Sequence, residues 1–254
     1  MRHLTAVPTC NIIGTHGKPS RVAGAARFAC TRAGPRATAG GNMTTDKQKA
    51  LSAVVALAER CHYEEGHTRQ VTRLALRVFD ELGGLHHFGQ TERFWLECAG
   101  LLHDIGWIDG QQGHHKTALR LILGDSSLPF DDRVRAVVAS IARYHRRALP
   151  SRKHEHFAGL RPSDRRTVSM LAGILRMADG LDRTHGDLVT DLTCEVAANR
   201  IVVRCDVNGS AEAEVEAALQ KGDLLEEMLG RRLDVVTTRQ IQGRRGRGGG
   251  AASP

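Results

Sequence analysis

From Thr45 to Asp182 apolar residues return every three or four positions, and beyond Asp182 they return every second one. The first period lines one face of an α-helix and the second one face of a strand. A chain that switches once in this way folds as a helical body followed by a small sheet-bearing unit. The first stripe is Leu51, Val54, Val55 and Leu57, in a helix ending near Cys61. The second is Val71, Leu74, Ala75, Val78 and Leu82, in a helix over 66–82 that Gly83-Gly84 ends. A third helix runs from about Thr91 to Ile105, and a short fourth from His114 carries Ala118, Leu121 and Ile122. Asp131 or Asp132 caps the next, which carries Val134, Val137, Val138 and Ile141 before Pro150 closes the region. Ser163 caps another, with Val168, Ala172 and Leu175 in line. Residues 188–196 and 201–207 then alternate as strands around a turn at 198–200. A helix over 211–229, ended by Gly230, leads to a third strand over 233–237. The expected fold is mainly α: a helical bundle over 45–187, then a β-β-α-β satellite over 188–238.

Each of these stripes but the first runs into a histidine or an aspartate. His67 stands four residues before Val71, His145 four after Ile141, and Asp179 four after Leu175. His103 and Asp104 close the third helix, and His114 opens the inward face of the fourth, with His115 one step round above Leu119 and Ile122. Adjacent helical residues point about 100° apart, so His103 and Asp104 reach one point only where the helix ends. Gly106 supplies that end by accepting a left-handed turn. His62, His86, His87, His154 and His156 fall in loops or on the surface.

Two carboxylates drawn inward need a cation or a proton, because an unpaired buried carboxylate costs several kcal/mol. His67, His103, Asp104 and Asp179 together offer two imidazoles and two carboxylates, a donor set that suits Mn, Fe, Zn or Mg. A bound divalent ion lowers the pKa of water from about 15.7 to about 7, which makes hydroxide available to attack phosphorus. His114 and His145 are placed to hold a second ion. Lys116, Arg146, Arg147 and Arg183 lie beside these ligands and are the candidate phosphate-binding residues. Asp104, Lys116 and Arg146 are the candidate catalytic residues.

Charge narrows the partners. Residues 1–45 hold six bases and no acid, and the tail adds Arg239, Arg244, Arg245 and Arg247. Without these ten, 26 of the 36 bases remain against 28 acids, so the folded part is not a nucleic-acid platform. The two ends, 1–44 and 239–254, are expected to be disordered. For the first, an over-long start with Met43 as initiator is the simpler account beside an Arg-rich transit peptide. Gly17-Lys18 followed by Pro19 lacks the glycine spacing of a phosphate loop. No apolar run approaches the ~20 residues of a membrane span. Six cysteines without a C-x-x-C spacing predict a reduced, cytoplasmic chain.

The order His67, His103-Asp104, Asp179 on successive helices resembles the HD-domain superfamily of metal-dependent phosphohydrolases. The segments HTRQVTRLALRVFDEL, LLHDIGWIDGQQGHHKTALRLIL, IARYHRRALPSRKH and LAGILRMADGLDRTH are similar to one group within it. That group is the C-terminal HD half of the exopolyphosphatase and guanosine pentaphosphate phosphatase family, and the satellite resembles its small last domain. The resemblance covers about residues 45–237. It implies an HD bundle with His67, His103, Asp104 and Asp179 around a first ion and His114 and His145 at a second. It prefers His114 to His115 because His114 stands four residues before the small Ala118. Long members place exopolyphosphatase chemistry in an N-terminal actin-like domain, to which nothing here corresponds. The full HD ligand set implies an active site of its own.

Two functions follow as expectations. The first is a divalent-metal phosphohydrolase acting on a phosphoester or phosphoanhydride: polyphosphate, a nucleotide or a guanosine alarmone. The second is a non-catalytic, polyanion-binding regulatory module. It would use a sheet edge to dock on a separate phosphatase domain or on a second copy as a homodimer.

Overall fold

The computed structural model describes residues 40–239, with side chains over 45–238. Ten helices and three strands follow one another as α1 (Gly40–Arg60), α2 (Glu65–Glu81), α3 (Gly83–His86), α4 (Gln90–Leu102), a 3₁₀ turn (Ile105–Asp109), α5 (His114–Gly124), α6 (Asp132–Arg143), α7 (Glu155–Ala158), α8 (Pro162–Gly180), β1 (Val189–Val196), β2 (Arg200–Val207), α9 (Glu212–Lys221), α10 (Asp223–Leu229) and β3 (Arg232–Arg239). The mainly helical fold with a small C-terminal sheet is the expected one. Of the residues expected to be disordered, 1–39 and 240–254 lie outside the described residues, as does the question of where the chain starts, whereas 40–44 belong to α1 and Arg239 ends β3. Helix α1 begins at Gly40, well ahead of the stripe of Leu51 to Leu57.

Helix α8 is the axis of the bundle, with every residue from Met170 to Gly180 buried. Helices α2, α4 and α6 pack on it. Val54, Leu57, Val71, Leu74, Leu96, Leu102, Val138, Ile141, Leu171 and Leu175 form the shared core. Burial of each such side chain stabilises the fold by about 1.5–3 kcal/mol. The Asp131 side chain caps α6 by accepting from the Val134 N–H at 2.7 Å. Ser163 does not cap α8. Arg161 is the N-cap and Pro162 takes the first turn, where its missing N–H leaves no bond unmade.

The sheet order is β1-β2-β3, with β2 antiparallel to β1 and parallel to β3. Side chains of α2 bind the sheet to the bundle. Gln70 donates to the Val189 carbonyl at 2.7 Å, Arg73 to Thr190 at 2.9 Å and Arg77 to Leu192 at 2.9 Å. The helix expected over 211–229 is two helices. It breaks at Gly222, where a Cβ would stand 2.8 Å from the Leu233 side chain and 3.1 Å from the Ala218 carbonyl.

Glycines expected to stop helices do other work. Helix α4 ends at Leu102, and Gly106 has no positive φ. A Cβ at Gly106 would collide with the His114 carbonyl, so this glycine admits the start of α5. At Gly180 a Cβ would stand 2.6 Å from the Ala218 backbone, so that glycine admits α9. Gly83 and Gly84 lie inside α3, and the left-handed residue there is His87, at φ 57. His86, expected on the surface, is buried because both ring nitrogens are used. Nε2 donates to the Phe79 carbonyl at 2.8 Å and Nδ1 accepts from the Phe88 N–H at 2.9 Å. His156 is half-buried rather than exposed, packed by its ring against Tyr144 and His154 around α7, a helix the periodicity does not signal. No described helix is long and apolar enough to cross a membrane.

Candidate metal centre

Asp104 follows the last turn of α4 by two residues, in the bend before the 3₁₀ turn. Its two oxygens face two pairs of imidazoles. Oδ2 lies 3.8 Å from His67 Nε2 and 3.5 Å from His103 Nε2. Oδ1 lies 3.2 Å from His114 Nε2 and 3.3 Å from His145 Nε2. These donors form two groups, His67-His103-Asp104 and Asp104-His114-His145, and Asp104 belongs to both. Asp179 completes the first side, with Oδ1 3.5 Å from His67 Nε2.

The far ring nitrogen of every histidine is tied down. Nδ1 of His103 faces the Gly100 carbonyl at 2.7 Å, His114 the Gln111 carbonyl at 2.9 Å and His145 the Ala142 carbonyl at 2.8 Å. A carbonyl only accepts, so Nδ1 carries the hydrogen and a neutral ring points its Nε2 lone pair at Asp104. His67 Nδ1 is held by Asp182 Oδ2 at 2.8 Å. Anchoring the distal nitrogen by carbonyl or carboxylate is how proteins orient metal-binding imidazoles.

Charge inside the cluster is unevenly met. Burial pushes His103 down to about 4, so its ring is neutral and its buried Nε2 has no hydrogen-bond partner. Burial also opposes the charge on His67, but Asp179, Asp182 and Asp104 outweigh it and push that ring up to about 10. Burial raises the Asp104 carboxyl, yet the imidazoles facing it, when they carry a proton on Nε2, hold it well below the usual carboxylate range. Asp179 is likewise raised by burial and held far lower by His67 and Lys221, whose Nζ is 2.5 Å from Oδ2.

The residues fit a divalent ion. Two donors each about 2.1 Å from one ion, at tetrahedral or octahedral angles, stand about 3.0–3.4 Å apart. His114 and His145 Nε2 are 3.4 Å apart and each lies 3.2–3.3 Å from Asp104 Oδ1. Lone pairs facing a carboxylate at these separations repel unless a cation or proton lies between them. All donors are nitrogen or oxygen, which suits Mn, Fe, Zn or Mg.

An open cavity of about 330 Å³ leads to this cluster. His67, Asp104, His145 and Asp179 line its floor side, together with Trp107, Gln111, Arg146, Arg183, His185 and Lys221. Of the phosphate-binding candidates, Arg146 and Arg183 reach the cavity, whereas Lys116 and Arg147 are exposed and do not line it. His115, left open beside His114, stays outside both donor groups, its ring 6.4 Å from that of His145. Asp182, His185 and Lys221 were not anticipated. Asp182 had a signal, since it lies one helical turn beyond Asp179. His185 stacks on His67 at 3.8 Å from a left-handed backbone position, and Lys221 arrives from α9, so neither had one.

The chain has no match among curated proteins. The family described as Ppx/GppA phosphatase, domain III, matches residues 51–228. That span contains all six converging side chains and most of the sheet unit, and on it the chain belongs to the Ppx/GppA phosphatase family.

Proposed function

We propose that the chain is a divalent-metal-dependent phosphohydrolase of the HD type, acting in the cytoplasm. One ion is held by His67, His103, Asp104 and Asp179, and a second by Asp104, His114 and His145. The observation that carries this reading is the sharing of Asp104 between two three-donor groups. When bound, the ions supply Lewis acidity and an activated water. The chain's own residues do the rest. Arg146 and Arg183 neutralise phosphate oxygens at the cavity mouth, each with two parallel N–H donors. Lys221 stands where the cavity needs a third cation, and its geometry favours it over Lys116. Asp182 keeps His67 turned inward. Polyphosphate, a nucleotide and a guanosine alarmone are the substrates to try.

The full-length chain supplied with Mn, Fe(II), Zn or Mg is expected to release phosphate from such substrates, and His103→Ala to abolish release. Turnover unaffected by His103→Ala would defeat the proposal. The match to domain III of its family favours a second reading, a polyanion-binding module that docks on a separate phosphatase domain or on a copy of itself. Polyanion binding without a retained ion and without turnover would select it. Asp182→Ala is expected to weaken metal binding by about 10–100-fold, with Asp182→Asn recovering part of the loss because its amide oxygen still accepts from Nδ1. Calorimetric metal titration reads both.

A further inference from the structure

The turn that follows α8 carries two cavity residues, Arg183 and His185, on either side of Thr184. They are held differently. His185 Nδ1 meets the Glu64 carboxylate at 2.9 Å. The Arg183 side chain makes no hydrogen bond or ion pair among the described residues, so its direction depends on its backbone. That backbone is fixed from the satellite. Glu214 Oε1, in α9, accepts from the Thr184 N–H at 3.0 Å and from the Thr184 hydroxyl at 2.5 Å. The first of these bonds fixes the planar peptide unit that joins Arg183 to Thr184.

This contact is one of three on the same side of α9. Glu214, Ala218 and Lys221 stand at i, i+4 and i+7, which is one face of a helix. Each meets a different point of the segment 179–184. Lys221 reaches Asp179 Oδ2 at 2.5 Å, and the Ala218 backbone lies so near Gly180 that a Cβ there would stand 2.6 Å from it. Glu214 takes the far end at Thr184. Three points along one rigid rod fix both the position and the direction of the segment laid on it. Glu214 is 1% exposed and its Oε2 is buried without a partner, so Thr184 is its only hydrogen-bond partner among the described residues. An apolar residue of like volume would serve plain adhesion as well as a buried carboxylate does. What the carboxylate adds is direction, since its two bonds to Thr184 allow the turn one geometry.

We propose that Glu214 is a positioning residue for phosphate binding, which through Thr184 aims Arg183 into the cavity. Helix α9 of the satellite is then a working part of the site, and the sheet-bearing unit has a share in substrate binding. The inference rests on the reading of Arg183 as a phosphate ligand beside the metal centre. It adds that a residue touching neither ion nor phosphate sets how well that arginine binds.

Inorganic phosphate titrated calorimetrically into the full-length, manganese-loaded protein tests this. Glu214→Ala is expected to weaken phosphate binding about tenfold, and Thr184→Val, which keeps the backbone bond, about threefold. Metal content should not change in either. In an Arg183→Gln background, Glu214→Ala is expected to weaken binding by less than about twofold more, because the arginine it acts through is already gone. Glu216→Ala, on the exposed side of α9, should keep full affinity, and a loss there as large as in Glu214→Ala overturns the inference. A lowered Tm with unchanged phosphate affinity in Glu214→Ala overturns it, as does a loss that is undiminished without Arg183 or that comes with lost metal. If Glu214→Ala does not fold, Thr184→Val decides, and unchanged affinity there overturns it. Absence of phosphate binding by the unsubstituted protein overturns it too. Turnover is not read, so a protein that binds phosphate and hydrolyses nothing ends the hydrolase proposal and leaves this one standing.

Discussion

Asp104→Ala is expected to retain neither ion and to lose at least about 10³-fold of the phosphate-releasing activity. A tenfold loss corresponds to about 1.4 kcal/mol of barrier, and metal-ion stabilisation of developing charge is worth several kcal/mol. The reason is positional. The two oxygens of Asp104 face four imidazole Nε2 atoms at 3.2–3.8 Å, and no other side chain belongs to both donor groups. Substitution of His114, which belongs to one group, leaves the other donor set intact and should cost one ion. Metal analysis of folded, desalted protein separates the two results. If Asp104→Ala keeps two ions, the shared-ligand arrangement is wrong.

Part of this centre is legible in the sequence because a helix repeats. His67, His145 and Asp179 each continue an apolar stripe by four residues, so the side that faces the core carries them inward. The His103-Asp104 pair is legible for a different reason, since adjacent residues can share a point only where regular helix stops, and α4 does stop at Leu102. Periodicity cannot show what a distant segment brings. Lys221 meets Asp179 across 42 residues, from a helix whose own pattern gives no hint of an acidic neighbour. It also cannot show why a glycine is present. Gly106 and Gly180 each stand within two residues of a candidate ligand, as a helix-ending glycine would, but both serve close backbone contact, and the residue they make room for is known only once the fold is formed. His86 and His156 illustrate the same gap, because His86 is buried once local backbone meets both its ring nitrogens and His156 is half-buried by the rings packed against it, and neither partner shows in the periodicity.

Gly106→Ala separates the two possible roles of that glycine. A helix terminator that needs a left-handed backbone would be strained by alanine at its own φ, and Gly106 has no such φ. The added methyl instead meets the His114 carbonyl, with the Ala118 N only 2.8 Å away, and α5 must move to admit it. Overpacking of this kind costs about 2–3 kcal/mol, and for a chain of this size that lowers Tm by about 5–10 °C. His114 is the first residue of α5 and its Nε2 is 3.2 Å from Asp104 Oδ1, so the displacement opens the His114-His145 group. His67 and His103 approach from α2 and from the end of α4, and their contact with Asp104 Oδ2 does not pass through α5. The variant should therefore keep one ion and lose the other, with a lowered Tm. Gly66→Ala, where an added Cβ meets nothing within 4 Å, should shift stability by less than about 1 kcal/mol and keep both. Unchanged Tm and full metal content in Gly106→Ala would mean that α5 does not rest on this glycine, and that the position of His114 is set elsewhere.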